Sequence, residues 1–424
     1  MITVEEHRAA VLAQITPLPV RQLPLTEALG CRLVEDVVAR VEVPPFDNSA
    51  MDGYAVLAAD VADATESRPV RLRVVGDIPA GADALPRVGP GTAARIMTGA
   101  PIPPGADAVV PVERTDQPAG PADGKDAPEE VLIHAPAGSH VRRAGEDVTP
   151  GTQVLRGGRT VRPRDLATAA STGHGTLPVR PRVRLGVLTT GDELVAPGEP
   201  LGPGQIPESN NVLLLGLAEQ LGATPVPLGI LGDRPSELRD VLARRLGGVD
   251  ALVTTGGVSA GAYDVVKEVL GPLGDVAFRA VAMQPGKPQG FGVLHDGERP
   301  VPIFCLPGNP VSVFVSFMVF VEPALRVMSG FARPDDADSL RPLLLDGVAA
   351  TGWRSPPGRC QYIPVAFDGT DEEDDHLLRV RPSAERGSQS HLVASLAAAE
   401  ALAIVDAEVE SVAEGDAVTV MMVP

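Results

Sequence analysis

Ala251-Leu252-Val253-Thr254-Thr255-Gly256-Gly257-Val258-Ser259-Ala260-Gly261-Ala262-Tyr263-Asp264 reads as a short apolar strand, a glycine-rich turn and the opening of a helix. A strand feeding a turn and then a helix is the repeating unit of parallel α/β folds. The same layout recurs on both sides. Val183–Leu188 ends in Thr189-Thr190-Gly191-Asp192-Glu193, and Ile303–Leu306 ends in Pro307-Gly308-Asn309-Pro310. Thr224–Leu228 and Val276–Val281 read as further strands, and Asn210–Leu221, Ser236–Leu246, Asp264–Leu270 and Val311–Met328 as helices. The alternation predicts a doubly wound, mostly parallel sheet. Loops at the C-terminal ends of its strands share one edge, where open α/β sheets bind ligands.

Working outward, residues 3–16 have helical spacing, with Thr3 and Glu6 in the capping-box pattern. Leu25 to Val38 reads as a second helix-like segment running into a strand, and Pro44-Pro45 breaks the chain. Between about 46 and 141 the pattern turns to short β runs punctuated by Gly and Pro: Tyr54-Ala55-Val56, Val70–Val75, Ala93–Met97, Ala108–Val112 and Val131–His134. This predicts a compact all-β module, with Thr115–Glu130 a solvated hairpin loop. After Gly330 the β pattern returns, and the acidic run Asp371–Asp375 is expected to be a solvated turn.

The chain has 424 residues, enough for about three domains at roughly 150 residues each. Its 45 glycines and 43 prolines, about a fifth of the residues, fall short of the roughly 25–30% that marks disorder. A formal charge of −19 with no Lys/Arg run argues against nucleic acid, which needs a basic face. Cys31, Cys305 and Cys360 are scattered and odd in number, so neither a disulfide framework nor a zinc site is expected. The acidic start, Glu5-Glu6, is unlike a secretory signal. The apolar run Val311 to Val321 is too short to span a bilayer. The expected compartment is the cytoplasm, with no membrane partner.

An acidic protein that binds an anion must do so locally. The Gly256–Gly261 turn is a cradle in which the backbone can approach a phosphate and the following helix aims N–H groups at it. An ordinary turn that needs glycine for positive φ is the alternative, and the loop alone does not separate the two. It matches neither the P-loop nor the dinucleotide fingerprint. Asp233, Asp264 and Glu193 all fall at the same sheet edge. Singly, each Asp is most simply a helix cap. Together, carboxylates around a phosphate cradle call for a hard cation, and magnesium suits oxygen ligands of this kind. Lys287 sits in a stiff Pro285-Gly286-Lys287-Pro288 turn; a fixed ammonium there could oppose an oxyanion, the plainer reading being a solvated lysine. No Ser–His–Asp or Cys–His arrangement is evident.

Taken in order, these stretches resemble the molybdopterin molybdenumtransferase family, the MoeA type, related to the E domain of gephyrin. The resemblance is carried by Phe46-Asp47-Asn48-Ser49-Ala50-Met51-Asp52-Gly53-Tyr54-Ala55, Arg95-Ile96-Met97-Thr98-Gly99-Ala100-Pro101, Arg142-Arg143-Ala144-Gly145-Glu146-Asp147 and Thr190-Gly191-Asp192-Glu193-Leu194. The Gly256–Asp264 turn, Pro285–Pro288 and Leu306-Pro307-Gly308-Asn309-Pro310-Val311-Ser312 complete it, nearly end to end. One such motif is weak; the whole set in register is specific.

The resemblance implies a multidomain α/β plus β protein. A discontinuous helical segment would cover about 1–44 with 142–178, an inserted β module 45–141, the α/β molybdopterin-binding domain 179–329 and a C-terminal β domain 330–424. It implies a homodimer with shared active sites, Asp52 and Thr98 reaching in from the partner. It implies magnesium-dependent insertion of molybdate into adenylylated molybdopterin with release of AMP, and passing contact with other cofactor-biosynthesis enzymes. Asp233 and Asp264 would hold the metal; Gly256, Gly257 and Ser259 the pterin phosphate; Lys287, Ser312, Arg359 and Ser390 the molybdate. Glu193 joins the catalytic set, and Gly261, Pro307, Asn309 and Arg142 the cofactor-binding set. The departure is Gln284, where some relatives carry a second Lys. The rival expectations are a molybdopterin adenylyltransferase and a non-catalytic scaffold.

Overall fold

The computed structural model describes residues 1–117, 127–257, 265–273, 276–340, 342–370, 377–384 and 393–424. Two compact units emerge: Leu23–Leu29 with Glu35–Leu177, and Met1–Gln22 with Gly30–Val34 and Pro178–Pro424. Helix α1 (Val4–Leu12) opens as its sequence predicts. Thr3 Oγ1 accepts from the Glu6 N–H at 3.0 Å, and Glu6 Oε2 accepts from the Thr3 N–H at 2.8 Å. That reciprocal pair satisfies two donors that a helix start leaves free.

Leu25 to Val38 is not the expected helix. It forms one 3-10 turn, Leu25–Glu27, then the two-residue strands Arg32–Leu33 and Val37–Val38. Gly30, at φ +76°, turns the chain out of helical geometry between them. The pieces 1–44 and 142–178 carry only α1 and one further helix among short strands.

In the β module, β1 (Gly53–Val56), β2 (Val70–Ile78), β3 (Thr92–Ile96), β4 (Ala108–Pro111) and β5 (Glu130–Ile133) form one sheet in the order β4-β1-β3-β2-β5. Successive side chains of a strand point to opposite faces. Tyr54, Val56, Ala93 and Val110 accordingly enter one core, and Ala55, Ala94 and Val109 the other. Gly53 is required where β1 crosses β4: a Cβ there would lie 2.0 Å from the Val110 carbonyl oxygen. Part of the expected loop after Thr115, residues 118–126, lies outside the described residues. The α-helix of this unit, α2 (Pro163–Ser171), carries proline in its first turn.

The other unit is built on a six-stranded sheet. Its elements are β6 (Arg184–Thr190), α3 (Asn210–Gln220), β7 (Thr224–Leu231), α4 (Pro235–Arg245), β8 (Ala251–Thr255), α5 (Val265–Leu273), β9 (Ala277–Ala280), β10 (Met283–Gln284), β11 (Pro288–Asp296) and β12 (Arg299–Leu306). Strand order is β7-β6-β8-β12-β11-β9. The first four are parallel, and β11 and β9 add an antiparallel edge. β11 was not foreseen; it follows directly from the Pro285–Pro288 turn. The sheet is covered on both faces. Leu185, Val187, Val253 and Phe304 pack with Leu214 and Leu217 of α3 and with Val4 and Val11 of α1. Leu188, Leu252 and Cys305 pack with Leu238 of α4 and Val266 of α5.

The expected helix from Val311 to Met328 is three pieces: α6 (Pro310–Ser316), a π turn at Phe317–Val321 and α7 (Glu322–Met328). Pro323 cannot donate within the helix, and its ring displaces the preceding turn, which accounts for the widening. The combined stretch of 19 residues is long and apolar enough to cross a membrane, so the shorter run read from sequence understated it. In the fold 89% of its most apolar window is buried.

Beyond it, β13 (Leu344–Ala349), β14 (Cys360–Thr370), β15 (Leu378–Pro382), β16 (Ala401–Val405) and β17 (Ala417–Met422) pair as β14-β15-β13-β17-β16, and β16 returns to β14. The ring is a closed barrel filled by Ile363, Val365, Val380, Ala403, Val418 and Val420. The acidic run at 371–375 lies outside the described residues. β10 lies parallel to the start of β14, with Gln284 opposite Gln361.

Candidate active site

Parallel register sets where three turns meet. Thr189 pairs with Thr255 and Thr255 with Leu306, so the chain leaves β6, β8 and β12 side by side at one edge. Gly256, at φ +87°, is closely confined: a Cβ on it would lie 2.4 Å from the Thr190 carbonyl oxygen. Gly308 stands against the Gly256 backbone from the other side. The three turns therefore form one floor, under a cavity of about 690 Å³.

Seven of the residues expected from sequence line that cavity: Glu193, Gly256, Gly257, Lys287, Pro307, Asn309 and Ser312. Gln284 lines it too. The Pro285–Pro288 turn is held from below by buried Gln289, whose Nε2 donates to the Gly286 carbonyl and to Ser316 Oγ, both at 2.7 Å. Lys287 is left exposed on a fixed loop: its carbonyl accepts from the Val281 N–H at 2.8 Å, and its ammonium has no hydrogen-bond or ion-pair partner among the described residues. Arg359 stands beside the cavity: its Nη1 donates to Gln284 Oε1 at 2.9 Å.

Asp233 does not line the cavity. It stands at the end of β7, where its Oδ2 accepts from the Asp192 N–H at 3.4 Å while Asp192 Oδ1 accepts from the Asp233 N–H at 3.0 Å. Neither carboxylate has an ion-pair partner among the described residues. Two close, uncompensated carboxylates form an oxygen donor set of the kind magnesium takes together with phosphate oxygens, so these side chains fit the ion. Among the described residues there is no cluster of three or more metal-ligating side chains. Ser259, Gly261, Asp264 and Ser390 lie outside the described residues.

Asp52, Thr98 and Arg142 belong to the β module's compact unit. Gly53 pairs with Ile96, which brings the residues beyond these strand ends together. Asp52 Oδ1 accepts from both the Thr98 N–H, at 2.6 Å, and the Thr98 hydroxyl, at 2.8 Å. Arg142 is exposed, its backbone pairing with Asn48. Beside it, Asp47 is held below the usual carboxylate range by the Ala144 N–H and the Arg143 guanidinium.

Sequence reading missed Thr190, Glu208 and Asn210, all buried cavity residues, and the supporting Gln289. The signal was Glu208-Ser209-Asn210-Asn211, a polar run directly before an apolar helix. Half of its work is capping: Glu208 Oε1 accepts from the Asn211 N–H at 2.7 Å.

Three family descriptions match in chain order: the MoeA N-terminal region (domain I and II) over residues 2–173, a probable molybdopterin binding domain over 186–327 and the MoeA C-terminal region (domain IV) over 346–423. The chain is 42% identical over 421 residues to molybdopterin molybdenumtransferase 2 of Mycobacterium tuberculosis, covering 98% of each protein. It is 33% identical over 423 residues to the molybdopterin molybdenumtransferase of Haemophilus influenzae, covering 99% of this chain and 98% of that one. Among solved structures, the molybdopterin biosynthesis moeA protein from Pyrococcus horikoshii superposes with a TM-score of 0.67 at 29% identity, over 100% of this chain and 99% of that one.

Proposed function

Since this chain belongs to the molybdopterin molybdenumtransferase family and is a transferase, we propose that it inserts molybdate into adenylylated molybdopterin, with magnesium, and releases AMP. The observation that carries this reading is the floor of three converging turns, with an unpaired lysine held over one side of the cavity. Gly256 and Gly257 bring backbone close to a phosphate without side-chain obstruction. Lys287 opposes the negative charge of the oxyanion, and Ser312 offers it a hydroxyl. Asp192 and Asp233, with Asp264, would hold magnesium, which when bound supplies charge neutralisation at the phosphoanhydride. Positioning and charge carry such a transfer, so no protein nucleophile is needed.

The homodimer with shared active sites belongs to the same proposal. Its support is the Asp52–Thr98 pair, an exposed and already ordered acceptor–donor set. A cytoplasmic site of action is likewise part of this reading, and no nucleic acid or membrane partner is included. The decisive experiment supplies adenylylated molybdopterin, molybdate and magnesium and measures AMP. Repeated turnover supports the transferase. One equivalent bound without turnover makes the chain a scaffold, and adenylylation of molybdopterin from ATP makes it the adenylyltransferase.

A further inference from the structure

Thr190 Oγ1, Glu208 Oε2 and Asn210 Oδ1 are buried in the wall of the cavity with no hydrogen-bond partner among the described residues. The three residues are 3%, 2% and 7% exposed, so bulk solvent does not serve these atoms. Each is fixed by its other half. Glu208 Oε1 is taken by the Asn211 N–H at the start of α3. Asn210 Nδ2 donates to the Gly308 carbonyl at 2.7 Å and to Thr255 Oγ1 at 3.3 Å, which sets the amide with its oxygen on the opposite side. Thr190 ends β6 beside Gly256.

Capping α3 accounts for one oxygen of Glu208 and leaves the other unexplained. A buried carboxylate oxygen and a buried amide oxygen are costly until something donates to them. They select a guest that presents neighbouring N–H donors. The geometry points to Glu208, with Asn210 and Thr190, as the subsite that reads the donor edge of an aminopyrimidinone ring, its 2-amino group and adjacent ring N–H. The assignment rests on the pterin reading above and extends it from the phosphate to the ring. A hard cation could also use three oxygens, but only one of these three belongs to a carboxylate, and the other oxygen of that carboxylate is already engaged.

A site built to bond an N–H rejects an analogue lacking it, because its own buried acceptors are then left unpaired. The test uses the full chain and two probes, pterin and lumazine, which differ by 2-amino against 2-oxo, with binding followed by calorimetry. Wild type is expected to prefer pterin by about tenfold or more, the worth of one charge-assisted hydrogen bond. Glu208→Gln keeps a carbonyl oxygen for the Asn211 N–H and turns the accepting atom into a donor, so the preference should vanish or reverse. Thr190→Val, which leaves the helix start untouched, should narrow it and serves if the first variant does not fold. Pterin binding no better than lumazine in wild type overturns the assignment, as does a preference that survives Glu208→Gln. Magnesium uptake that depends on Glu208, without pterin preference, makes the group a cation site and overturns it equally. Turnover of the adenylylated substrate is measured separately. If turnover is absent while the pterin preference stands, the activity fails and the ring subsite remains.

Discussion

The Arg359 guanidinium donates to Gln284 Oε1 at 2.9 Å, a neutral amide holding a cation beside the cavity mouth. A lysine at 284 would face that guanidinium with like charge and would free it from its tether. With Gln284 the pocket carries one cation fewer, so molybdate affinity should fall less steeply with salt than in a Gln284→Lys variant. Titrating molybdate against both proteins from low to high salt checks this; equal slopes would rule it out.

Gln289 is buried and donates to two acceptors that have little other access to a donor. Gln289→Leu should cost about 2–3 kcal/mol of folding stability, because the Gly286 carbonyl and Ser316 hydroxyl lose a buried partner. Molybdate binding should weaken as well, since the turn presenting Lys287 loosens. Denaturant unfolding and molybdate titration on the same preparation give both numbers. Unchanged stability would mean that the prolines alone hold the turn.

Asp233→Asn keeps an oxygen for the Asp192 N–H but removes one charge from the pair. Folding stability should stay within about 0.5 kcal/mol of wild type, as for other exposed substitutions. The magnesium concentration needed for half-maximal AMP release should rise about tenfold or more, the same direction expected for Asp264→Asn. Lowered thermal stability with a normal magnesium requirement would reduce these residues to helix caps.

Asp52→Ala removes the acceptor shared by the Thr98 N–H and hydroxyl. In a homodimer with sites shared between chains, heterodimers of Asp52→Ala and Lys287→Ala subunits restore one intact site of two. AMP release from purified heterodimers should recover toward half the wild-type rate, while each variant alone stays inactive. No recovery would place both residues in a site made by one chain.

His7 gives the fold an acid limit. Burial first, and the Arg279 charge second, lower its pKa from the usual 6.5 to about 4. Its ring meets Phe320 edge-on at 4.7 Å. Above 6.5 the ring is neutral in both folded and unfolded chains and has no effect. As pH falls from 6.5 toward 4, the unfolded chain takes up a proton that the folded one refuses, so stability drops by about 3 kcal/mol in all. Unfolding midpoints at pH 7 and pH 5 should differ more in wild type than in His7→Phe.

The parallel sheet was legible because its strands are buried on both faces and read as apolar runs, each closed by a turn of glycine, threonine or proline. The cavity floor followed from that alone, since parallel register aligns the strand ends. Leu25 to Val38 was misread because its apolar spacing fits a helix until the backbone reverses at Gly30. Glu208, Asn210 and Gln289 were invisible for a different reason. Each is a polar residue in a setting where a cap or a surface turn is the ordinary explanation, and only burial separates the two. Gln284 could be recognised as a departure, but its hold on Arg359 depends on β10 lying beside β14, which no local pattern encodes.

The last strand, β17, is the keystone of the C-terminal ring, since it joins β13 to β16. Removing residues 417–422 would leave both neighbours with a bare row of backbone donors and acceptors. Such rows invite strands from other molecules. A chain clipped there should therefore gather into insoluble clumps, even though no residue of the cavity has been lost.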